Sequence, residues 1–540
     1  MRVRLYLIIL LLASQTAIAQ KYGGPRIIQP GITEGLTLIN PTNHTKAYLL
    51  DECGRVINTW TSQYAAAHTI YLKPNGTLVR TNLLVNTIVD GGGGSGGGVE
   101  ILDWDSNLLW SYAYNTDKVR QHHDIHVMPN GNVLLLAWEV KTAAEAIAAG
   151  RNPALIPSGQ VWPEHLVEVR PIVPNGGEIV WEWHAADHLV QDFDNTKDNY
   201  GDPAIHPELI DFNFTIDGNK DWIHANGIDY NQQLDQIIIS AHSFNEIWVI
   251  DHGTTTAQSR SHTGGKQNKG GDLLYRWGNP MTYRQGTSAD TKLLSQHNPH
   301  WVPQGLPQQG RILYFNNGPN RFYTSIETIE PPVNADGSYN LTTNAFGPAS
   351  PSFVYTGTPQ TSFFSRIMGS AQFLPNGNLF IGSALQGITW EVTPSNQIIW
   401  EYKSPITPTG IVGRDYFPTN GNYAPRPVFR STKYLRSYSA FDGRILVPQE
   451  PIEGEPWADC GLITALPNEN HKVVSFPNPV DDRLTVNASG CFHASLTDNL
   501  GKKVFEAEGQ DQMVIITTSM PAGLYLLRVQ EKIEKVLIRH

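Results

Sequence analysis

The feature that most constrains this chain is an alternation of two kinds of hairpin, each present in six copies. The first kind is an apolar run, a turn rich in Gly, Asn or Asp, and a second apolar run. Its copies are "TIYLKPNGTLVRT" from Thr69, "DIHVMPNGNVLLLAW" from Asp124, "IDYNQQLDQIIIS" from Ile228, "HWVPQGLPQQGRILYF" from His300, "AQFLPNGNLFIGS" from Ala371 and "YLRSYSAFDGRILV" from Tyr434. Turn residues between apolar runs of strand length predict a β-hairpin. The second kind mostly ends in Trp: "AYLLDECGRVINTW" from Ala47, "VEILDWDSNLLWSY" from Val99, "LVEVRPIVPNGGEIVWEW" from Leu166, "IWVIDHGTTT" from Ile247 continued by "GGDLLYRWG", and "ITWEVTPSNQIIWEY" from Ile388. A degraded copy runs from Ser325 through "SIETIEPP" to "SFVYTG".

Six alternating pairs, four strands to a pair, predict an all-β fold: a six-bladed β-propeller over residues 20–465. The repeat begins with the second kind and ends with the first, so strands from both ends complete one blade and leave no free edge. The Trp of each outer hairpin is expected to fill the wedge between blades. A β-sandwich assembly would not explain the alternation. The composition agrees, with 48 Gly and 36 Pro to supply many turns. A net charge of -11 without a long basic run argues against a nucleic-acid partner.

Residues 1–19 read as a secretory signal peptide: Arg2 and Arg4, then an apolar core, then Ala17-Ile18-Ala19. No other segment is long and apolar enough to span a bilayer, so no stable membrane insertion is expected. Cys53 and Cys460 could pair in an exported protein, or stay as buried thiols; no CxxC or Cys/His zinc spacing occurs. "DGGGGSGGGV" (Asp90 to Val99) reads as a flexible loop. "DFDNTKDNYGD", within the excursion from Asp187 to Asn213, loosely resembles a calcium loop but lacks its closing bidentate Glu, and a solvated acidic loop is the expectation.

The histidines are in register. His68, His123 and His297 each stand eight residues before the turn glycine of their unit, and His224 eight before Gln232 of the equivalent turn. The other two copies carry Gly369 and Leu435 at this place. Equivalent positions on successive blades converge at one end of the channel, so His123, His224 and His297 should face one small space, with His68 joining them or lying deeper. A histidine alone is most simply a satisfied structural residue. Four in one register point to a site, because the repeat itself needs only Gly and Trp. Zinc or copper held by three imidazoles is a rival reading, with Asp124 and Asp221 near enough to orient ligands.

"HHDIHVMPNGN", "DWIHANGIDY", "GGDLLYRWGNP", "QHNPHWVP" and "FNNGPNR" together resemble the bacterial arylsulfate sulfotransferase family, from about Tyr48 to Glu450. The resemblance implies a six-bladed propeller. It implies sulfuryl transfer from a phenolic sulfate ester to a phenolic acceptor, with a histidine as carrier and no cofactor or nucleotide donor. By motif the carrier falls on His297, and its supporting histidines on His224 and on His123 or its neighbour His122. The family's sulfate-binding arginine falls on His242, a departure that Arg321 or Arg366 could offset. Asn316 and Asn317 are further candidate donors, and Trp301 or Tyr323 could hold a phenol ring. A non-catalytic binding propeller and a metal-dependent hydrolase built on the same histidines are the competing functions.

From about Asn468 the composition changes. "FPNPV", "GLYLLRV" and the closing "KVLI" suggest a small β-sandwich over 466–540. They resemble a type IX secretion C-terminal sorting domain, which implies the type IX machinery as partner and a secreted or cell-surface location. Removing residues 466–540 is therefore expected to leave the chemistry intact and stop export. Activity in lysate against culture medium measures this.

Overall fold

The computed structural model describes residues 22–216, 218–341, 345–414, 416, 425–454, 460, 474–476, 478–498, 501–529 and 532–539. The leader expected at 1–19 lies outside the described residues. The chain divides into two compact units, 1–457 and 458–540.

The first unit is all-β, and the alternating hairpins account for its strands. The first sheet takes Thr432–Leu435 from the end of the repeat and pairs it with Gly35–Ile39, Lys46–Leu50 and Val56–Thr61 from the beginning. The second sheet is Ala66–Leu72, Leu78–Leu83, Gly97–Leu102 and Leu108–Ala113. The third is Val119–Val127, Val133–Glu139, Glu164–Pro171 and Gly177–His184. The fourth is Ala225–Asn231, Gln236–Ala241, Glu246–Asp251 and Tyr275–Trp277. The fifth is His297–Trp301, Ile312–Asn316, Ser325–Ile329 and Phe353–Thr356. The sixth is Ser370–Phe373, Leu379–Ser383, Ile388–Val392 and Ile398–Lys403, with Gly24–Ile28 added at its edge. Within all six, neighbouring strands run antiparallel.

The hairpin expected from Tyr434 is not formed. Thr432–Leu435 is followed by a short 3-10 turn, Ser439–Phe441, and its strand partner is Gly35–Ile39. The edge that the second half of that hairpin would cover is already taken by the beginning of the chain.

The sheets meet through apolar clusters. Leu36 and Trp60 pack with Ile70 and Leu78; Val79 and Val99 with Val133 and Leu135; Leu134 and Trp183 with Ile237 and Trp248. Val249 and Trp277 pack with Ile312 and Tyr314, and Leu313 and Phe315 with Phe373 and Leu379. The outer tryptophans lie at these junctions, and their indole N–H groups do more than fill space. Trp60 donates to the Asp103 carbonyl at 3.0 Å, Trp110 to Gly176 at 2.7 Å and Trp183 to Gly271 at 2.7 Å. Trp277 donates to Pro348 at 2.7 Å, and Trp400 returns to Glu52 at 2.8 Å. Each acceptor lies between the third and fourth strands of the next sheet, so the last clamp ties the sixth sheet to the first. The outer strand of the fifth sheet has no Trp; Phe353 packs on Phe373 there, with ring centroids 5.5 Å apart.

Cys53 and Cys460 are both disulfide-bonded, which settles against free thiols. In the excursion, Asp192 is held by Arg284 and Asp194 accepts from Thr196, so both carboxylates have protein partners. In the second unit five strands are joined by hydrogen bonds in the order Val474–Phe476, Arg483–Thr497, Gly523–Val529, Lys532–Ile538, with Lys503–Ile516 also pairing Arg483–Thr497. Its long strands Arg483–Thr497 and Lys503–Ile516 pair along their length with a register shift at Ala488/Cys491. Leu484, Val486, Phe492, Tyr525 and Leu527 make its core.

Replacing Trp400 with Phe keeps most of the buried volume but leaves the Glu52 carbonyl without its donor. A loss of about 1–3 kcal/mol is expected, read from urea unfolding of the full chain.

Candidate functional site

The first strands of the second, third and fifth sheets carry His68, His123 and His297, His224 directly precedes that of the fourth, and each ladder is interrupted beside its histidine. The ladder slips between Ala66 and Ile70, Gln121 and Ile125, Ala225 and Ile228, and His297 and His300. A bulge re-aims a side chain that would otherwise follow the pleat. The backbone of His123 and His224 is left-handed, with φ of 46° and 51°. A bulky residue rarely adopts that conformation.

These departures bring the rings together. His68 and His123 have centroids 5.5 Å apart, His123 and His224 4.6 Å, His224 and His242 4.9 Å, and His242 and His297 5.4 Å. Phe429, just before Thr432–Leu435, closes the circle. It lies 5.0 Å from His68, 6.2 Å from His123 and 6.4 Å from His297. His68 therefore joins the group. Sequence reasoning missed Phe429, which belongs to no motif and meets the histidines only through the closing of the first sheet.

Hydrogen bonds set where each ring carries its proton. Asn317 donates through its amide to the carbonyls of Ser365 and Met368 at 2.7 and 2.8 Å. Its carbonyl oxygen must then be the atom 2.8 Å from His297 Nδ1, so Nδ1 carries hydrogen. Nε2 of His297 is left as a lone pair, which accepts from the Met368 backbone N–H at 3.2 Å. Burial lowers the pKa of His297 to about 3, so that lone pair is unprotonated at neutral pH.

His122 lies behind His123 rather than among the facing rings. It stacks on Trp138 at 4.2 Å, and its Nδ1 is 2.9 Å from Nδ1 of His123. Its Nε2 is 2.9 Å from Glu164. Burial raises the Glu164 carboxyl well above the usual range and lowers His122 to about 3, so both are held neutral. A neutral Glu164 donates to His122, His122 donates to His123, and His123 keeps its hydrogen on Nε2. Burial, then the neighbouring His224, holds His123 well below its ordinary pKa. His224 is backed by Asp221, 2.5 Å from its Nδ1. An aspartate behind one ring nitrogen suits the other for proton exchange. His242 is buried to the same effect, so its imidazole is neutral. The buried Nδ1 atoms of His242 and His68 have no hydrogen-bond partner.

The glycine run was expected to be a flexible loop. It is instead a fitted cover. The His123 N–H donates to the Gly94 carbonyl at 2.8 Å. A Cβ on Gly94 would stand 2.1 Å from the His123 ring, and one on Gly93 would stand 3.0 Å from His224. Glycine is needed there because the backbone lies against two imidazoles.

Other candidates are placed elsewhere. Asn316 is spent on Leu294, Lys292 and Glu327, and Arg321 on Tyr323, Asn316 and Ser325. Arg366 is exposed, while Trp301 is buried in the junction of the fourth and fifth sheets. Tyr323 lies under the Arg321 guanidinium at 4.4 Å. The buried cation beside the cluster is Arg430, which follows Phe429 and donates to Asp124 at 2.7 Å. Asp124 also accepts from Thr69 and from the Ile228 N–H, so it joins the first strands of the second, third and fourth sheets. A cavity of about 290 Å³ is lined by Tyr71, His126, Asp229, His300, Phe373 and Arg430. Among the described residues, the two groups whose ligand atoms converge within 4.8 Å do not include His123, His224 or His297.

Fold and site define an all-β protein with a close group of imidazoles, in which His297 is neutral and turns the lone pair of Nε2 toward the others. A family model described as Arylsulfotransferase (ASST) matches residues 28–407, and the chain belongs to that family. Membership supports an aryl sulfotransferase activity in general terms. A second model, a Secretion system C-terminal sorting domain, matches residues 474–539. This is a type IX sorting domain and supports export to the medium or the cell surface. No helix among the described residues is long and apolar enough to cross a membrane.

Among curated proteins nothing matches the chain. Among solved structures, a protein of unknown function from Bacteroides caccae is 10% identical with a TM-score of 0.37, covering 69% of this chain and 94% of that one. A putative 6-phosphogluconolactonase from Bacteroides uniformis is 9% identical with a TM-score of 0.34, covering 75% and 100%. Kuenenia stuttgartiensis hydrazine synthase is 11% identical with a TM-score of 0.32, covering 56% and 70%.

The buried histidines make stability depend on pH. His68, His122 and His297 have folded pKa values of about 4, 3 and 3 against 6.5 when exposed. As pH falls below 6.5 the unfolded chain takes up these protons first. Stability is therefore full above that pH and falls as it drops toward the folded values, by about 1.4 kcal/mol per pH unit for each such histidine. Urea midpoints at pH 7 and pH 5 measure the slope, and His68→Gln is expected to reduce it.

Proposed function

We propose that the six sheets are the blades of a six-bladed β-propeller, and that its histidine-lined end moves a sulfuryl group from a phenolic sulfate ester to a phenolic acceptor. The observation that carries this reading is the lone pair of His297 Nε2, held in that tautomer by Asn317. A neutral imidazole is a competent nucleophile at neutral pH. Nε2 attacks sulfur, the bond between sulfur and the aryl oxygen breaks, and the departing oxygen takes a proton from Nε2 of His224, which enters the step as an imidazolium paired with Asp221 and leaves it neutral. The acceptor phenol then gives its proton to His224 as its oxygen attacks sulfur. The nitrogen–sulfur bond breaks and His297 is restored.

Sulfuryl transfer resembles phosphoryl transfer, with charge spread over equatorial oxygens. His123 Nε2–H and His242 supply neutral donors to those oxygens, and the Met368 N–H joins them once Nε2 is occupied. Neutral donors in a dry site stabilise developing charge strongly. General acid help from His224 is worth roughly 10²–10⁴-fold. His122, Asn317, Asp221 and Glu164 position the reacting rings. The circle of imidazoles and the Gly92–Gly94 cover support an aromatic substrate. No cofactor or nucleotide donor enters the step. The leader at 1–19 and the sorting domain carry the enzyme out through the type IX machinery.

Brief exposure of the full chain to a chromogenic aryl sulfate, followed by quenching and peptide mass spectrometry, is expected to find an added mass of about 80 Da on His297. His297→Asn should lose both the adduct and phenol-dependent release. An adduct on another residue, or release that requires added metal, would overturn the assignment.

A further inference from the structure

The geometry points to a metal site on the third sheet, separate from the histidine circle: a Zn²⁺-class ion held by His165 Nε2, His184 Nε2 and the Glu182 carboxylate. Pairing between the two strands creates it. His165 and His184 are directly opposed, and Glu182 stands two residues before His184 on the same face. Glu164, one residue before His165, points to the other face and serves His122. The three ligand atoms lie within 4.8 Å of one another. Glu182 Oε2 is 3.2 Å from His165 Nε2 and 3.6 Å from His184 Nε2.

The other nitrogen of each ring is already held from behind. Glu139 Oε2 is 3.2 Å from His184 Nδ1, and the Tyr114 hydroxyl is 3.1 Å from His165 Nδ1. A ligating histidine usually has such a partner, because it fixes the tautomer and turns the far nitrogen toward the ion. The Glu139 carboxylate can only accept, so Nδ1 of His184 carries a hydrogen and Nε2 is the nitrogen left to face the site. That Nε2 is buried, has no hydrogen-bond partner and faces a carboxylate; His184 as a whole is 9% exposed. A ring nitrogen set against a carboxylate leaves room for a cation between them. Lys141 does not supply it, because its Nζ is bound to Glu139 at 2.7 Å. Two His and one carboxylate form a familiar three-ligand set for zinc, with a fourth position open to water. Glu182 is the most exposed of the three and marks the way in. The imidazoles stack with centroids 4.0 Å apart, and the ion would turn their edges toward each other as it enters. The neighbouring group of His188, His262 and Asp272 is less suited, because it offers no buried ring nitrogen without a partner as His184 does.

The test uses the full chain, stripped with a chelator and dialysed against Zn²⁺. Elemental analysis should find a single retained equivalent, and the melting midpoint should rise. His184→Ala and Glu182→Gln should lose the retained zinc, Glu139→Gln should weaken binding roughly 10–100-fold, and His297→Ala should bind as the parent does. Should His184→Ala fail to fold, the near-isosteric Glu182→Gln decides, together with Co²⁺ titration of the unaltered chain. Strong visible bands from a four-coordinate ion are expected there. No zinc uptake by the parent, absent cobalt bands, or zinc lost with His297→Ala but kept with Glu182→Gln would each overturn the proposal.

Discussion

Five indole N–H groups, each reaching a carbonyl of the next sheet, are the interaction on which the rest of the structure depends. Hydrogen bonding within a sheet says nothing about where its neighbour stands. Apolar packing draws neighbours together without direction. A buried indole N–H must find an acceptor, so it selects one placement of the neighbouring sheet from the many that would bury similar area. Repeated from Trp60 to Trp277 and closed by Trp400, the bond fixes the order and spacing of the sheets. Side chains more than two hundred residues apart can then be held a few ångströms from one another, as His68 and Phe429 are.

The site uses that rigidity against solvation. Taking imidazoles out of water disfavours their charged forms, and placing several together adds mutual repulsion. The result is that His297, His122, His123 and His242 are neutral rings, with proton positions set from behind by Asn317 for His297 and by Glu164 through His122 for His123, while Asp221 stands behind Nδ1 of His224. His242, where the resembled family has a guanidinium, takes part as a neutral ring. The permanent cation nearby, Arg430, is bound to Asp124.

Much of this was legible in the sequence, and for a physical reason. Strand periodicity and turn chemistry are local, so the hairpins could be read directly, and a constant distance from each turn exposed the histidine register. What could not be read depends on distant contacts. The hairpin at Tyr434 fails because Gly35–Ile39 occupies its place. The glycines at 92–94 look flexible by composition, yet they are demanded by the rings beneath them. Phe429 and the Met368 N–H carry no motif. The bulges that aim the rings are likewise invisible, since nothing in "QHHDIH" or "WIHAN" announces a slip in the ladder.

The left-handed backbone at His123 and His224 carries a lasting consequence for how this enzyme can change. Glycine and asparagine are at ease in that conformation, and histidine is held there at a cost of order 1–3 kcal/mol. Selection for heat resistance alone would therefore drift toward those smaller residues at both places. Under the proposed mechanism the survivors would be hardier and inert, so thermotolerance and turnover would pull against each other at two single torsion angles.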